Sequence, residues 1–492
     1  MRRILSHPLT ALLTGACLRL LFVLKFPAGS GDTVIYEQLA SNWLKYGKYA
    51  MDIAGQPVPV DLRVPGYPAF LALLYALSGR TAENARMVVM IAQVFIDLVT
   101  CLLIAALAAL LAHFCSRGIQ PRRAFTAALW LAALCPLTAN YVAVPLTEVW
   151  AVFFTALAFN IFIILAARVT TTPLPDWLPS YLRTGGLTIP AAIAGATIGL
   201  GTLFRPETPL LLATSLLLLT YGMWRRKRLL HWLLISLLMV ATCALFLVPW
   251  TIRNAKTLHE FQPLAPKDAN LPGEFVPKGF MAWERTWLYR VRDCYLVPWK
   301  LNEESINLED IPPFAFDTPD EKERVAAVLE TYNDELSLTE AEDAVFAQLA
   351  AERTARHPLR TYLWTPLRRA VRIWFTPRIE LIPVSGHVFP LAYMNEEDPV
   401  DQRVTIFYFF LNIFYVGLAI AGTGKLWRLR SARPAILLLL FYVLARTAFL
   451  TTVETPEPRY TLVCFPALLA LGAQLFTGRR SANSEPVPVS TI

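Results

Sequence analysis

Residues 31–68, GDTVIYEQLASNWLKYGKYAMDIAGQPVPVDLRVPGYP, follow the first membrane-length apolar segment, and their reading decides how the rest of the chain is understood. After Asp32, Ile35, Leu39, Trp43 and Tyr46 recur at helical spacing, so a helix is expected to lie along the membrane with its carboxylate at the N-terminal end. Two roles for Asp32 stay open. It either caps that helix, where backbone N–H groups lack partners, or acts as a general base held near the interface within reach of an acceptor proton. Arg63 precedes Val64-Pro65-Gly66-Tyr67-Pro68, a run expected to turn rigidly into the helix FLALLYAL. A guanidinium fixed there binds either ordinary anionic lipid or, bidentately, a substrate phosphate.

The composition around this stretch is that of a membrane protein: 492 residues, 55% hydrophobic and only 17% charged, with a mean hydropathy of +0.45. Apolar runs long enough for a hydrocarbon core of about 30 Å are expected near residues 5–26, 84–113, 124–142, 146–167, 187–204, 208–224, 229–250, 404–424, 434–452 and 460–477. The fold class is therefore all-α and polytopic, with about ten transmembrane helices. Interfacial helices are expected in the first outer loop, 27–83, and a mainly helical external segment at 251–403. Residues 1–250 then form an N-terminal membrane module, 404–477 the C-terminal transmembrane helices and 478–492 a cytoplasmic tail.

Sidedness follows from the loop arginines, because short basic connections stay in the cytoplasm. Arg2, Arg3, Arg117, Arg122, Arg123, Arg168, Arg183, Arg225, Arg226, Lys227, Arg228, Lys425, Arg428, Arg430, Arg433, Arg479 and Arg480 fall in alternate connections or at a terminus, against Asp176 and Glu485 alone. Both termini are expected in the cytoplasm. The formal charge of +8 is thereby explained without nucleic acid. Arg19 interrupts the first apolar run, which reads as a retained span and not as a cleaved signal peptide. Seven cysteines give no disulfide framework and no zinc spacing.

The long external segment carries helix starts. Thr318-Pro319-Asp320-Glu321 reads as an N-cap, a proline at N1 and a capping-box glutamate, and Thr339 with Glu342 repeats the box. In PLRRAVRIWFTPRIELIP, Val371, Trp374 and Phe375 are set against Arg368, Arg369 and Arg372, as in a helix lying in the interface. Within predicted spans stand three charges, Arg19, Asp97 and Arg446. A pairing of Asp97 with Arg19 or Arg446 is expected.

An early aspartate in the outer loop, Arg63-Val64-Pro65-Gly66-Tyr67-Pro68, Pro145-Leu146-Thr147-Glu148, Phe204-Arg205-Pro206, Pro249-Trp250-Thr251-Ile252-Arg253-Asn254 and Glu457-Pro458-Arg459-Tyr460, in that order, resemble the GT-C glycosyltransferases. The nearest group is that of the bacterial dolichyl-phosphate-mannose-protein mannosyltransferase-like enzymes, which includes the aminoarabinose transferases of lipid A. The resemblance covers most of 1–260 and 350–477. It implies transfer of a sugar from a polyprenyl-phosphate donor to a lipid, glycan or protein acceptor at the outer face of the cytoplasmic membrane. Asp32 matches the family's catalytic aspartate and Glu148 an acidic position at the fourth span. Arg63 matches the basic position that meets the lipid phosphate. Thr33 stands where eukaryotic protein mannosyltransferases carry the second acid of an Asp-Glu pair, which counts against a protein acceptor.

The expected site is thus catalytic Asp32 and Glu148, with Arg63, Arg459, Arg205 and Arg253 on the donor phosphate. Tyr67 and His387 are candidate substrate contacts. No metal-ligand cluster is read, and a divalent ion shared by Asp32 and Glu148 is the less favoured alternative to a cofactor-free site. A transporter or flippase of lipid-linked sugars is the competing class, although such proteins often show related halves and midplane sites.

Overall fold

Proline and glycine punctuate the apolar runs, and the helices begin and end where they stand. A computed structural model describes residues 7–114, 120–184, 186–224, 229–266, 268, 271–389, 398–455 and 457–478. Arg2, Arg3, Cys115, Arg117, Arg225, Arg226, Lys227, Arg228, Arg479, Arg480 and the rest of the tail lie outside the described residues. Among those described, seven helices are long and apolar enough to cross a membrane: Pro8–Lys25, Ala82–Phe114, Glu148–Thr170, Leu230–Thr257, Pro399–Trp427, Arg430–Thr451 and Pro458–Phe476. The fold is all-α and polytopic, as expected.

The remaining three expected spans are helical but not straight, full-length crossings. Residues 124–142 become Pro121–Ala133 and Pro136–Ala143, bent by 55°, because Pro136 supplies no N–H to continue the first helix. Residues 187–204 give a helix of only 15 residues, Thr188–Thr202. Residues 208–224 give Pro209–Trp224. The short helix packs on Leu229–Thr257 through Gly195 and Gly199, where a Cβ would meet Met239 O at 2.2 Å and Cys243 O at 2.5 Å. Small residues four apart let two backbones touch, the usual device for helix association in lipid. The helix containing Pro249 runs on to Thr257, past the expected start of the external segment at 251.

The three charges expected within spans, Arg19, Asp97 and Arg446, are each paired. Arg19 is wholly buried and donates to Asp97 Oδ2 at 2.6 Å. It also donates to the carbonyls of Gly15, Ala133 and Ala132 and contacts Cys101 Sγ. Ala132 and Ala133 are the last turn before the bend, where Pro136 has no N–H to give Ala132 O its usual i+4 bond and Cys135 N reaches it only at 3.3 Å. The guanidinium therefore seals a helix end that lipid cannot solvate. Arg446 pairs with Glu207 instead, at 2.9 Å.

Two features were not legible beforehand. The first loop contains an antiparallel hairpin, β1 (Ala50–Ile53) and β2 (Gln56–Pro59). Its two-residue turn, Ala54-Gly55, has φ of 50° and 80°, as type I′ hairpins require. In the presumed interfacial helix, Thr365–Phe375, Arg369 is buried on the carbonyls of Leu288, Thr451 and Arg285. Trp374 turns inward to Thr447 Oγ1, leaving Leu367, Val371 and Phe375 exposed. The helices start at Thr318 and Thr339 as expected, but the reciprocal box forms only at Thr339, because the Glu321 carboxylate accepts from Asp317 N at 2.7 Å instead of from Thr318 N. Residues 280–350 hold a separate apolar cluster around Trp283, Trp287 and Phe346.

Removing one partner of a buried pair strands the other charge, at about 3–5 kcal/mol. Arg19→Leu or Asp97→Leu should therefore lower the thermal midpoint sharply. The double variant should recover part of the loss, and independent, additive losses would show that the pair does not act as a unit.

Candidate functional site

The Gly31–Tyr46 helix is not capped by Asp32. Ser30 is the N-cap, in a reciprocal box with Thr33. Asp32 sits in the first turn with its carboxylate turned outward, so the capping role is filled and the acid is released for other contacts. Thr33 Oγ1 donates to Pro145 O at 3.2 Å and Ala28 N to Ala143 O at 2.9 Å, which ties the loop to the turn before Glu148. Leu39 packs on Tyr49, Met51, Val60, Leu62 and Trp250, with Ile35 and Trp43 alongside. Tyr46, expected on the same face, is exposed.

The hairpin aims Arg63. Tyr49 OH donates to Arg63 O at 2.8 Å, and Arg63 Nη2 reaches Asp32 Oδ1 at 2.8 Å. Gly66 N donates to Leu203 O at 2.6 Å, and a Cβ at Gly66 would lie 2.4 Å from that oxygen. This close approach brings the Arg63 turn against Phe204-Arg205-Pro206.

Five elements meet around a cavity of about 880 Å³. Its charges alternate. Arg63 pairs with Asp32, and Asp32 also with Arg459 at 3.1 Å. Arg459 stands 3.8 Å from Glu148 and 2.5 Å from Glu457. Glu148 binds Arg205 at 2.9 Å, Arg205 binds Glu207 at 2.9 Å, and Glu207 leads to Arg446. Tyr460 OH donates to Glu457 at 2.6 Å, and Tyr141 OH to Glu380 at 2.6 Å. Tyr36, Phe204, Tyr295 and Trp299 complete an aromatic wall.

These contacts set the acids apart. Burial opposes ionisation of Asp32, but Arg459 and Arg63 outweigh it and hold the carboxyl below its usual range. Glu207 is likewise buried, yet Arg205 and Arg446 bring it down to about 2. Glu457 moves the other way, since burial exceeds the help of Arg459 and Tyr460.

Of the residues expected here, Asp32, Arg63, Glu148, Arg205 and Arg459 line this one cavity. Three do not. Arg253 is spent on Tyr49 O at 2.6 Å and Val60 O at 2.8 Å, where it braces the hairpin from behind. Tyr67 is fully buried, donating to Gln93 at 2.8 Å. His387 lines a neighbouring cavity of about 370 Å³ that shares Tyr295, Glu380, Glu457 and Arg459 with the first. Glu207 and Glu457 join the cavity in addition to the expected set, and the signal for each is its spacing, two residues from Arg205 and from Arg459. Among the described residues no group of three His, Cys, Asp or Glu side chains is placed to hold a metal ion.

Fold and cavity define a polytopic membrane protein with a polar, arginine-lined chamber at one end of its helices. Among solved structures, the chain is similar to the archaeal oligosaccharyltransferase AglB from Archaeoglobus fulgidus in complex with an inhibitory peptide and a dolichol-phosphate, with 14% identity and a TM-score of 0.48. The match covers 95% of this chain and 50% of that one, so this chain spans about half its length. It is also similar to ArnT from Cupriavidus metallidurans bound to undecaprenyl phosphate, with 12% identity and a TM-score of 0.37 over 94% of this chain and 77% of that one. No family model and no curated protein matches the sequence.

Gly66→Ala should displace the Arg63 turn from Leu203 and cost about 1–3 kcal/mol. A thermal midpoint equal to that of the parent would show that the contact is soft.

Proposed function

We propose that the chain is an inverting glycosyltransferase that moves a hexosyl or pentosyl group from a polyprenyl-phosphate donor to an acceptor hydroxyl, at the outer face of the cytoplasmic membrane. The observation that carries this reading is Asp32 held between Arg63 and Arg459 on the wall of the large cavity. A carboxylate, phosphate-binding guanidiniums and aromatic faces are the groups such a transfer needs together. The motif resemblance points the same way.

In this mechanism the acceptor oxygen attacks the anomeric carbon as Asp32 takes its proton. The bond from that carbon to the phosphate oxygen breaks, and the electron pair leaves with the polyprenyl phosphate. Arg63, Arg459 and Arg205 stabilise the charge developing on it. Glu148, buried at a helix start, orients acceptor or sugar and keeps Arg205 in place. No metal is required in this scheme.

Asp32 begins as a poor base because two arginines neutralise it. A phosphate entering the cavity competes for the same guanidiniums, and Asp32 recovers basicity as they turn to the donor. Proton abstraction is thereby coupled to donor binding.

With the purified full chain, labelled polyprenyl-phosphate sugar and crude envelope acceptor, Asp32→Asn should lower transfer by about 100-fold or more with membrane insertion unchanged. Full activity in that variant would remove Asp32 from the chemistry. Transfer without any gradient also separates this reading from a flippase, which translocates carrier and forms no product.

The pH profile tests the coupling. In the free protein Asp32 stays ionised below its usual 3.8, so activity that depends on it fails only as pH falls through that depressed value. With donor bound the arginines are occupied and the value rises. The acid limb of kcat should therefore lie at higher pH than that of kcat/KM for the donor, and coincident limbs would rule out the exchange.

A further inference from the structure

The far end of the bundle from Asp32 carries a second feature with its own chemistry. Helix Arg86–Phe114 starts beside the site, where Arg86 binds Glu37 at 2.7 and 2.8 Å, and its 29 residues carry the chain about 43 Å away. Beyond it, helix Pro121–Ala133 packs beside Pro399–Trp427 and the end of the last span. Between them lies a groove of about 600 Å³.

The groove is amphipathic along its length. Arg122 and Arg123 stand at its head, and Trp130, Leu134, Phe414 and Phe476 form its walls. Leu134, Phe414 and Phe476 are each about half exposed, at 46%, 52% and 54%, which water would not favour and lipid would. The 13 residues of the flanking helix extend about 20 Å, more than half of an about 30 Å hydrocarbon core. That length suits a chain inserted from one leaflet.

Among the described residues the head of the groove is lined by no acid. The first turn of the helix holds no acid, and among the described residues neither Arg122 nor Arg123 forms an ion pair. Arg123 Nη1 lies so near Gly478 that a Cβ there would come within 2.5 Å of it, which positions this guanidinium beside the end of the last span. Two arginines side by side match the oxygens of a phosphate diester, and basic pockets between membrane helices bind anionic head groups.

We infer that this groove binds one anionic diacyl phospholipid, its phosphate on Arg122 and Arg123 and an acyl chain along Trp130 and Phe414. The inference is independent of the activity proposed above, since no residue is shared with the large cavity.

The test uses the full chain in nanodiscs of phosphatidylcholine with increasing phosphatidylglycerol, each brominated in the acyl chains, and reads quenching of tryptophan. Phosphatidylglycerol should be preferred by about 10- to 30-fold, as two arginines at the surface allow. Trp130→Phe should remove the excess quenching. Arg122→Gln with Arg123→Gln should cut the preference below about twofold, whereas lysine at both positions should keep it. Equal quenching by the two lipids would overturn the proposal, as would a preference untouched by the glutamine pair. Displacement by millimolar inorganic phosphate would make this a free-anion site instead, and displacement by polyprenyl phosphate at lower concentration than phosphatidylglycerol would assign it to the carrier; either result refutes the assignment.

Discussion

The ion pair between Arg459 and Asp32, 427 positions apart in the chain, joins the first loop to the start of the last span. Without such a partner a half-buried carboxylate beside Glu148 and Glu457 would be too costly to keep ionised. With it, four arginines and four acids settle into an alternating series in which each charge has an opposite neighbour. The series is also easily re-sorted, because a guanidinium that leaves one carboxylate for a phosphate exchanges one anion for another. A cavity of this kind holds its geometry when empty, and on the function proposed above it would exchange one of its own carboxylates for the ligand's anion.

Deeper in the bundle the same residue types do a different job. Arg19 and Asp97 neutralise each other, and Arg19 then uses its remaining donors on the carbonyls at the bend after Ala133. The broken helix is tolerated in lipid because its loose end is bonded within the protein. Arg446 links the two regimes: it lies in a membrane helix, yet its partner Glu207 binds the cavity's Arg205. Displacement of the Arg430–Thr451 helix would therefore be felt at Glu148.

The sequence order of the motifs foretold much of this, since Asp32, Arg63, Glu148, Arg205 and Arg459 do meet at one cavity. Residue type and segment end were enough for that. What they could not convey was the direction of a side chain across a turn. Arg253 and Arg205 both follow an expected span, but the helix through Pro249 continues to Thr257 and carries Arg253 within it to the back of the hairpin. Tyr67 had the right neighbours and the wrong helical face, three residues from its ring partner Phe70 in the core. The hairpin is faint in the sequence because Pro57 and Pro59 weaken its strands as a pattern, while Ala54-Gly55 is a weaker turn signal than Asn-Gly. Pairing of Asp97 was foreseeable from cost alone, and only geometry chose Arg19 over Arg446.

The helix Thr188–Thr202 has a consequence for the bilayer itself. At 15 residues it reaches about 22 Å, some 8 Å less than an ordinary hydrocarbon core. A membrane meets such hydrophobic mismatch by thinning locally or by admitting water at the short end. Arg205 sits three residues beyond that end, where thinning of this kind would bring the headgroup plane nearest to the chamber. On the function proposed above, a phosphate on a long isoprenoid tail would then have a shorter descent from the leaflet to the chamber.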